Sequence, residues 1–279
     1  MKGLVIEMKA QKRILTVQDI SCVGQCSLTV ALPILSACGV EAAVIPSAVL
    51  STHTGNWTGF TFRDLTDDIP EITRHWNDNG IDFDGIYTGY IGNARQFDMI
   101  NVIREKLLRP GAPVIIDPAM ADLGRLYYGF DEAFVAGMRK FINGADYALP
   151  NITEAAFLTG LDYRESYDEK YIEKLAAETI ALGVKNVIIT GVSFEPTKLG
   201  ICVCDGKSII YHFEDKLEMS CHGTGDVYAS VFTGKLISGM SALESGKAAA
   251  VFTRNAMLNT PAEHNYGVNF ESILGELTL

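Results

Sequence analysis

The sequence predicts an α/β fold in which helices cover both faces of a mostly parallel sheet that carries an antiparallel hairpin at one edge. Short apolar segments alternate with longer segments of helical periodicity, which is typical of β-α-β units. The pair Asp205-Gly206 separates two β-rich segments and indicates a tight antiparallel turn. With 279 residues, 48% of them hydrophobic, the chain can bury one large core. We therefore expect a single domain over residues 1–279, with a short lead over 1–13.

Each element follows from a local pattern. Apolar segments bounded by glycine, proline or polar residues predict strands at 14–18, 42–46, 85–90, 114–117, 147–149 and 186–190, and a hairpin at 200–204 and 208–213. Apolar residues at helical spacing predict a first helix that ends near 39 and contains Pro33, which can kink it. The same spacing predicts helices at 63–77, 94–108, 132–141, 168–182 and 242–259, one after Asn151 and one after Asp226. The segment 51–59 is polar and glycine-rich, which predicts a loop.

Charge and composition exclude several classes of function. The formal net charge of −11, without a basic stripe, argues against nucleic acid as a partner. The sequence contains neither a long uncharged apolar run nor a signal-peptide pattern, so we expect a cytoplasmic protein with no membrane partner. The cysteines form no paired C-x-x-C units, which argues against a structural zinc site.

Polar residues stand at the carboxyl ends of the predicted strands. In a parallel sheet these ends meet along one rim, where ligands bind. Asn151 and Glu154 also fit a helix capping box, so structure alone could account for that pair. The repetition along successive strands nevertheless indicates a site on this rim. The residues are Asp19, His53, Thr54, Thr88, Tyr90, Asp117, Asp122, Asn151, Glu154 and Thr190.

A glycine turn opens the apolar helix 227–239. Gly223 and Gly225 flank Thr224, and Asp226 follows within the first helical turn. Such a turn exposes the first free N–H groups of the helix as an anion site. The alternative is an ordinary capped helix in which Thr224 caps and Asp226 favours the positive end of the helix dipole.

Three motifs together carry a family resemblance. In order and spacing, residues 117–122 (DPAMAD), 150–154 (PNITE) and 223–226 (GTGD) resemble the vitamin kinases of the ribokinase superfamily. Residues 51–55 (STHTG) and 87–90 (YTGY) resemble its pyridoxal kinase branch more than its hydroxymethylpyrimidine kinases. The resemblance implies a three-layer α/β/α fold, a homodimer, and ATP- and Mg²⁺-dependent phosphorylation of the 5′-hydroxymethyl group of pyridoxal, pyridoxamine or pyridoxine.

The resemblance also implies roles for single residues. Asp226 would be the base that accepts the hydroxyl proton, and Gly223, Thr224 and Gly225 would offer backbone amides to the transferred phosphoryl group. Asp122 and Glu154 would act around Mg²⁺. The expected ATP contacts are Asp117, which also matches a position near a monovalent cation, together with Asn151, Glu154, Thr190 and Thr224. The expected vitamer contacts are Asp19, His53, Thr54, Tyr90 and Cys221.

Four features depart from the family pattern or add to it. Asp19 stands where a serine is common; it either pairs with a protonated ring nitrogen or caps the following turn. Leu149 replaces a threonine, which puts the monovalent-cation site in doubt, and Gly191 replaces a hydroxyl residue, which could loosen a phosphate contact. Cys221, at a helix N-terminus, could have a lowered pKa and add to the pyridoxal aldehyde, or it could be a neutral filler. The segment 122–130, with Arg125, is the expected lid over the phosphates.

Two other functions remain open at this stage. A hydroxymethylpyrimidine kinase would act on a similar flat heteroaromatic alcohol. A protein that binds a vitamer or nucleotide without catalysis could keep the same fold. The presence of Asp226, Asp122 and Glu154 together disfavours the second alternative, because a binding protein needs neither a base nor metal carboxylates.

Overall fold

A computed structural model describes residues 11–55 and 57–278, so most of the expected lead at 1–13 lies outside the described residues. Eleven strands are found in this part of the chain. They are β1 (Arg13–Ser21), β2 (Glu41–Leu50), β3 (Phe62–Asp64), β4 (Ile86–Thr88), β5 (Val114–Ile116), β6 (Ala121–Asp122), β7 (Arg125–Leu126), β8 (Tyr147–Ala148), β9 (Asn186–Val192), β10 (Lys198–Cys204) and β11 (Ile209–Asp215).

Nine of these strands form one sheet, in the order β11-β10-β9-β8-β5-β4-β1-β2-β3. The six strands from β9 to β2 run parallel to one another. At one edge β10 and β11 pair antiparallel, which confirms the predicted hairpin. At the other edge β3 adds a short antiparallel strand that the sequence did not predict. The fold class is therefore confirmed.

Helices cover both faces of the sheet. They are α1 (Leu28–Ala37), α2 (Ile69–Asp78), α3 (Arg95–Leu107), α4 (Glu132–Phe141), α5 (Ile152–Thr159), α6 (Glu169–Ala181), α7 (Thr224–Ile237) and α8 (Ala242–Leu258), with 3₁₀ turns at Thr66–Asp68 and Glu271–Leu277. Helices α1, α7 and α8 share one hydrophobic cluster, whereas α2, α3 and α4 share another. Among the described residues, no helix is long and apolar enough to span a membrane.

Alternation along the parallel strands divides the core between the two faces. In β1, Ile14 belongs to the cluster under α1 and α7, while its neighbour Leu15 belongs to the cluster under α2 and α3. Ile115 and Ile116 in β5 are divided in the same way. All four side chains are fully buried, which fixes the register of the central strands because a one-residue slip would exchange the two faces.

Two predicted boundaries are wrong, each for a physical reason. The helix predicted at 63–77 begins only at Ile69, with a proline in its first turn, because Phe62–Asp64 instead pairs with the end of β2. Asp19 was expected to follow the first strand, but β1 continues to Ser21 because β2 offers it partners along that whole length. Pro33 lies inside α1 as expected.

Candidate active site

The glycine turn adopts a conformation that only glycine accepts readily. Gly223 has φ 80° and ψ 2° and precedes α7, which begins at Thr224. A Cβ atom at Gly223 would overlap the Gln25 carbonyl oxygen, so both the dihedral angles and the close approach require glycine. Over residues 11–55 and 57–278, no side chain caps α7, and the Thr224 hydroxyl donates to the Cys221 carbonyl oxygen at 3.4 Å. The first N–H groups of α7 are therefore not satisfied by a side-chain cap, unlike in the ordinary-cap alternative.

Asp226 lies partly buried in the first turn of α7. Burial raises its pKa to about 7, with a further increase from the nearby Asp19 carboxyl, while the backbone N–H of Ser27 acts in the opposite direction. A carboxyl group with a pKa near 7 can both accept and release a proton at neutral pH, as a general base must. The raised pKa is compatible with the predicted role, and Asp226 stays the predicted base.

Asp19 is a buried acid near this base. Its side chain is only 3% exposed, and it accepts a hydrogen bond from the Ser21 hydroxyl at 3.0 Å. Desolvation raises its pKa, although the hydroxyls of Ser27 and Ser21 lower it in part. In the described part of the chain, no lysine, arginine or histidine forms an ion pair with Asp19. This environment is suited to a cationic group on a ligand.

The loop after β2 places His53 in an aromatic cluster. The ring contacts Trp57 and His222, with centroid distances of 4.7 and 5.3 Å. The Gly55 N–H donates to Nδ1 at 3.1 Å, which assigns the ring proton to Nε2, and burial lowers the pKa of His53. Among the described residues, Nε2 has no partner. His53 is thus a neutral ring with an unused donor, and Thr54 follows it in the same turn.

Tyr90 lies two residues after the end of β4. Burial and the nearby Asp19 raise its pKa to about 12, so its hydroxyl stays protonated. Its ring packs against Phe130, at a centroid distance of 5.3 Å, and this connects it to the end of the predicted lid. Of the expected vitamer residues, Asp19 and Tyr90 therefore lie close together.

A second group of acids continues the rim beyond Asp226. Asp117 is 8% exposed, and burial raises its pKa together with the charges of Glu154 and Asp226. The pKa of Glu154 is raised to about 7 by burial, and Asp122 contributes to the increase. In the described part of the chain, no lysine, arginine or histidine forms an ion pair with Asp117 or Glu154. Such a cluster is stabilised when positive charge arrives with a ligand.

Glu154 and Asn151 also have the structural role that the sequence left open. Their capping box is present: each side chain accepts from the other's backbone N–H, both at 2.9 Å. The second Glu154 oxygen accepts from the Met120 N–H at 2.9 Å, and the Asn151 amide donates to the Ala121 carbonyl oxygen at 2.8 Å. The pair therefore joins the start of α5 to the strand β6.

Thr190 lies inside β9 rather than after it, and its N–H donates to the Pro150 carbonyl oxygen at 2.9 Å. A bridge between Asn151 and Thr190 brings two of the expected ATP contacts together. Gly191 follows with φ 77°, where β9 and β10 shift register. Gly191 thus lies in a bulge with positive φ, which explains why glycine stands here in place of a hydroxyl residue.

The predicted lid is a small hairpin. Strands β6 and β7 pair antiparallel, and Leu123 and Gly124 form the turn, both with positive φ. Tyr127 follows β7, and its pKa is raised by burial and by Glu154, Asp122, Asp117 and Asp226. The hairpin thus lies over the acid cluster. Arg125 pairs with Asp122 across it and is exposed.

A divalent metal would not find a complete protein site here. Within residues 11–55 and 57–278, no three histidine, cysteine, aspartate or glutamate side chains are gathered around one point. The uncompensated acids Asp117, Asp122 and Glu154 nevertheless fit Mg²⁺, which prefers oxygen ligands and keeps several waters and substrate phosphates.

The structure favours one of the two alternatives for Cys221 and adds residues that were not expected in the site. Burial raises the pKa of the Cys221 thiol, which favours the neutral filler over the aldehyde adduct. Cys26 and Ser27, in the turn after β1, lie near both Asp19 and Asp226. Tyr87, fully buried, lies near Asp117 and Asp226. Tyr87 belongs to the YTGY motif that carries the family resemblance, whereas nothing in the sequence indicated Cys26 or Ser27.

Comparisons with known proteins agree on one family. The family model described as phosphomethylpyrimidine kinase matches residues 32–269. The pyridoxal kinase of Dictyostelium discoideum is 27% identical over 241 residues, which cover 80% of this chain and 78% of that protein.

Two crystal structures are more similar. One is a Bacteroides thetaiotaomicron protein described as a phosphomethylpyrimidine kinase, in a crystal form with pyridoxal. It is 34% identical with a TM-score of 0.90, and the match covers 96% of this chain and 96% of that one. The pyridoxal kinase of Lactobacillus plantarum is 31% identical with a TM-score of 0.88, over 96% of this chain and 97% of that one.

Proposed function

The chain belongs to the phosphomethylpyrimidine kinase family, and on that premise we propose that it transfers the γ-phosphoryl group of ATP to the 5′-hydroxymethyl group of a B6 vitamer. That it is a kinase of B6 vitamers or of the related pyrimidines follows from the family and its relatives. The choice of a B6 vitamer over a pyrimidine as the substrate is our proposal. It is supported by the Lactobacillus plantarum relative, a pyridoxal kinase, and by the relative crystallised with pyridoxal.

The placement of Asp19 beside Asp226 is the observation that carries this choice. A buried acid without a cationic partner suits a protonated ring nitrogen, and the pyridine nitrogen of a B6 vitamer can supply one. Asp226 then faces the hydroxymethyl group and accepts its proton as the oxygen attacks phosphorus. The backbone amides of 223–225 stabilise charge on the transferred phosphoryl group.

The acid cluster serves the nucleotide end of the same site. Asp122 and Glu154 would hold Mg²⁺ through water, and Asp117, Asn151, Thr190 and Thr224 would contact ATP. Mg²⁺ supplies charge neutralisation on the phosphate oxygens. The lid at β6–β7 excludes water from the phosphates, which limits hydrolysis of ATP without transfer. We also propose a single domain, a cytoplasmic location and a homodimer, of which sedimentation would test the last.

Hydroxymethylpyrimidine is the second candidate substrate, because the matching family model is named for the pyrimidine kinases. ATP consumption in the presence of Mg²⁺ tests the proposal when each of pyridoxal, pyridoxamine, pyridoxine and hydroxymethylpyrimidine is added in turn. We expect consumption to depend on a B6 vitamer. Turnover with hydroxymethylpyrimidine alone would contradict the vitamer assignment, and no turnover with any of the four would contradict kinase activity on this class of alcohols.

The pH dependence should report the base. Asp226 must be deprotonated to accept a proton, and burial raises its pKa to about 7. The value of kcat/KM for the vitamer should therefore fall about tenfold per pH unit below neutrality and level off above it. Initial rates from pH 5.5 to about pH 8.5 measure this. The residual activity of Asp226→Asn should lack the acid limb; an identical limb in that variant would assign it to another group, such as Glu154.

Asp19→Ser should change the preference among vitamers. Loss of the carboxylate removes the partner of the protonated ring nitrogen, so kcat/KM should fall by about tenfold for the vitamer that depends on that charge most. The ratios of kcat/KM for pyridoxal, pyridoxamine and pyridoxine measure the change. If all three fall equally or none changes, Asp19 acts through the local structure and not through the ring.

A further inference from the structure

Ser27 has a strained backbone at a position where no local feature requires it. It precedes α1 with φ 53° and ψ −131°, a region that favours glycine. Its side chain makes no capping hydrogen bond to α1, which is the usual reason for serine at this position. Strain of this kind is retained when the surrounding structure imposes it, and it is common at functional sites.

The surroundings of Ser27 show what the strain achieves. Its carbonyl oxygen accepts from the N–H groups of Val30 and Ala31, at 3.1 and 2.9 Å, so the carbonyl points into α1. The Gln25 carbonyl and the Cys26 Cα lie against Gly223, which brings Ser27 close to the first turn of α7. From there its N–H lowers the pKa of Asp226, and its hydroxyl lowers the pKa of Asp19. The side chain is 3% exposed, so neither group is accessible to bulk water. A single residue, Ser27, therefore interacts with both Asp19 and Asp226.

The turn that holds Ser27 is fixed from several sides. The Thr29 hydroxyl contacts the carbonyl oxygens of Gly24 and Cys26, at 3.0 and 2.7 Å. The Gln25 N–H donates to the Tyr266 carbonyl oxygen at 2.9 Å, and the Gln25 carbonyl lies against Gly223. The turn is thus held against Gly223, the residue before α7, and against the segment that follows α8.

We propose that Ser27 is a positioning residue that orients the base Asp226 through its N–H and the substrate-pocket acid Asp19 through its hydroxyl, and that its backbone strain is the cost of facing both. The assignment rests on the proposed roles of Asp226 and Asp19. It predicts that the two groups of Ser27 have separate effects. The hydroxyl affects binding of the substrate through Asp19, and the constrained N–H affects proton transfer through Asp226.

Two substitutions distinguish the effect of the hydroxyl from that of the constrained N–H. Ser27→Ala removes the hydroxyl and keeps the constrained backbone, so KM for the vitamer should rise about fivefold while kcat and the acid limb of the pH profile stay near wild type. Ser27→Gly also removes the hydroxyl, but it relieves the strain and frees the N–H. We expect its kcat to fall about tenfold and its melting temperature to rise by about 2 °C.

The pH profile distinguishes positioning from a structural role. In Ser27→Gly the Asp226 carboxylate loses a fixed donor, so the acid limb should move to higher pH by about half a unit. Both variants keep the other titratable groups whose pKa values are linked to the charge of Asp226. These groups are Asp19, Cys26, Tyr87, Asp117 and Tyr127. Ser36→Ala, at an exposed position of the same helix, is the control and should match wild type.

Equal kinetic effects of Ser27→Ala and Ser27→Gly, or changes in melting temperature alone, would overturn the inference. The experiment is independent of which alcohol is the substrate. If wild type uses hydroxymethylpyrimidine rather than pyridoxal, the vitamer proposal fails, and the same comparison with hydroxymethylpyrimidine still tests Ser27.

Discussion

Asp226→Asn should lower kcat by about 10²–10⁴ while KM for ATP changes little, because the variant loses the proton acceptor and keeps the shape of the first turn of α7. Steady-state rates with a saturating vitamer and with varied ATP measure both constants. The effect should be confined to the chemical step because the backbone amides of 223–225 remain in place. A kcat within threefold of wild type would show that Asp226 is not the base and that the glycine turn is an ordinary helix start.

The same variant should be more stable than wild type at neutral and higher pH. Burial raises the Asp226 pKa from 3.8 to about 7, so the folded state holds its proton more tightly than the unfolded state does. Stability therefore falls as pH rises from about 4 to about 7 and is then constant. A shift of about three pKa units corresponds to about 4 kcal/mol, so removing the charge should add up to about 4 kcal/mol to the free energy of unfolding at pH 8 and nearly nothing at pH 4. Urea unfolding at the two pH values measures this difference.

Gly223→Ala should be the most disruptive single substitution in the site. The added Cβ would overlap the Gln25 carbonyl oxygen, and φ 80° is unfavourable for alanine. We expect the free energy of unfolding to fall by about 2–4 kcal/mol and the phosphotransfer activity to be lost, because the turn cannot keep its amides on the phosphate. Urea unfolding and steady-state kinetics measure the two effects.

Gly225→Ala is the matched control for stability. Among the described residues, no atom apart from the chain neighbours and the nearby helix backbone lies within 4 Å of a Cβ built at Gly225, which lies inside α7 and lacks a positive φ. Alanine is the better helix former, so the free energy of unfolding should rise by about 0.5–1 kcal/mol. Equal destabilisation by the two substitutions would show that the close approach at Gln25 is not what requires glycine at 223.

The sheet and its rim could be predicted because their signals are local. Buried parallel strands appear as short apolar segments, and the polar residues after them, such as Asp117 and Asn151, must lie on one edge. The strand Phe62–Asp64 could not be predicted: all three of its side chains are exposed, and it exists only because β2 offers it a partner. Local helical spacing therefore extended the predicted helix too far toward the N-terminus.

The roles within the site were predictable only in part. The sequence showed that Asn151 and Glu154 could form a capping box, but not that Glu154 would also hold the backbone of β6. It indicated a helix N-terminus that could lower the pKa of Cys221, whereas burial, a property of the folded chain, raises it. Ser27 gave no signal at all, because its dihedral angles come from contacts with distant segments.

In the proposed reaction Asp19 and Asp226 form one site, in which Asp19 holds a protonated ring and Asp226 takes the proton of its hydroxymethyl group. Competition between pyridoxal and hydroxymethylpyrimidine tests this arrangement, with ATP and Mg²⁺ present and with both phosphorylated products quantified by mass spectrometry. We expect pyridoxal 5′-phosphate as the main product in wild type, at a rate reduced at least a hundredfold in Asp226→Asn. Preferential phosphorylation of the pyrimidine, or an unchanged rate in Asp226→Asn, would contradict the claim.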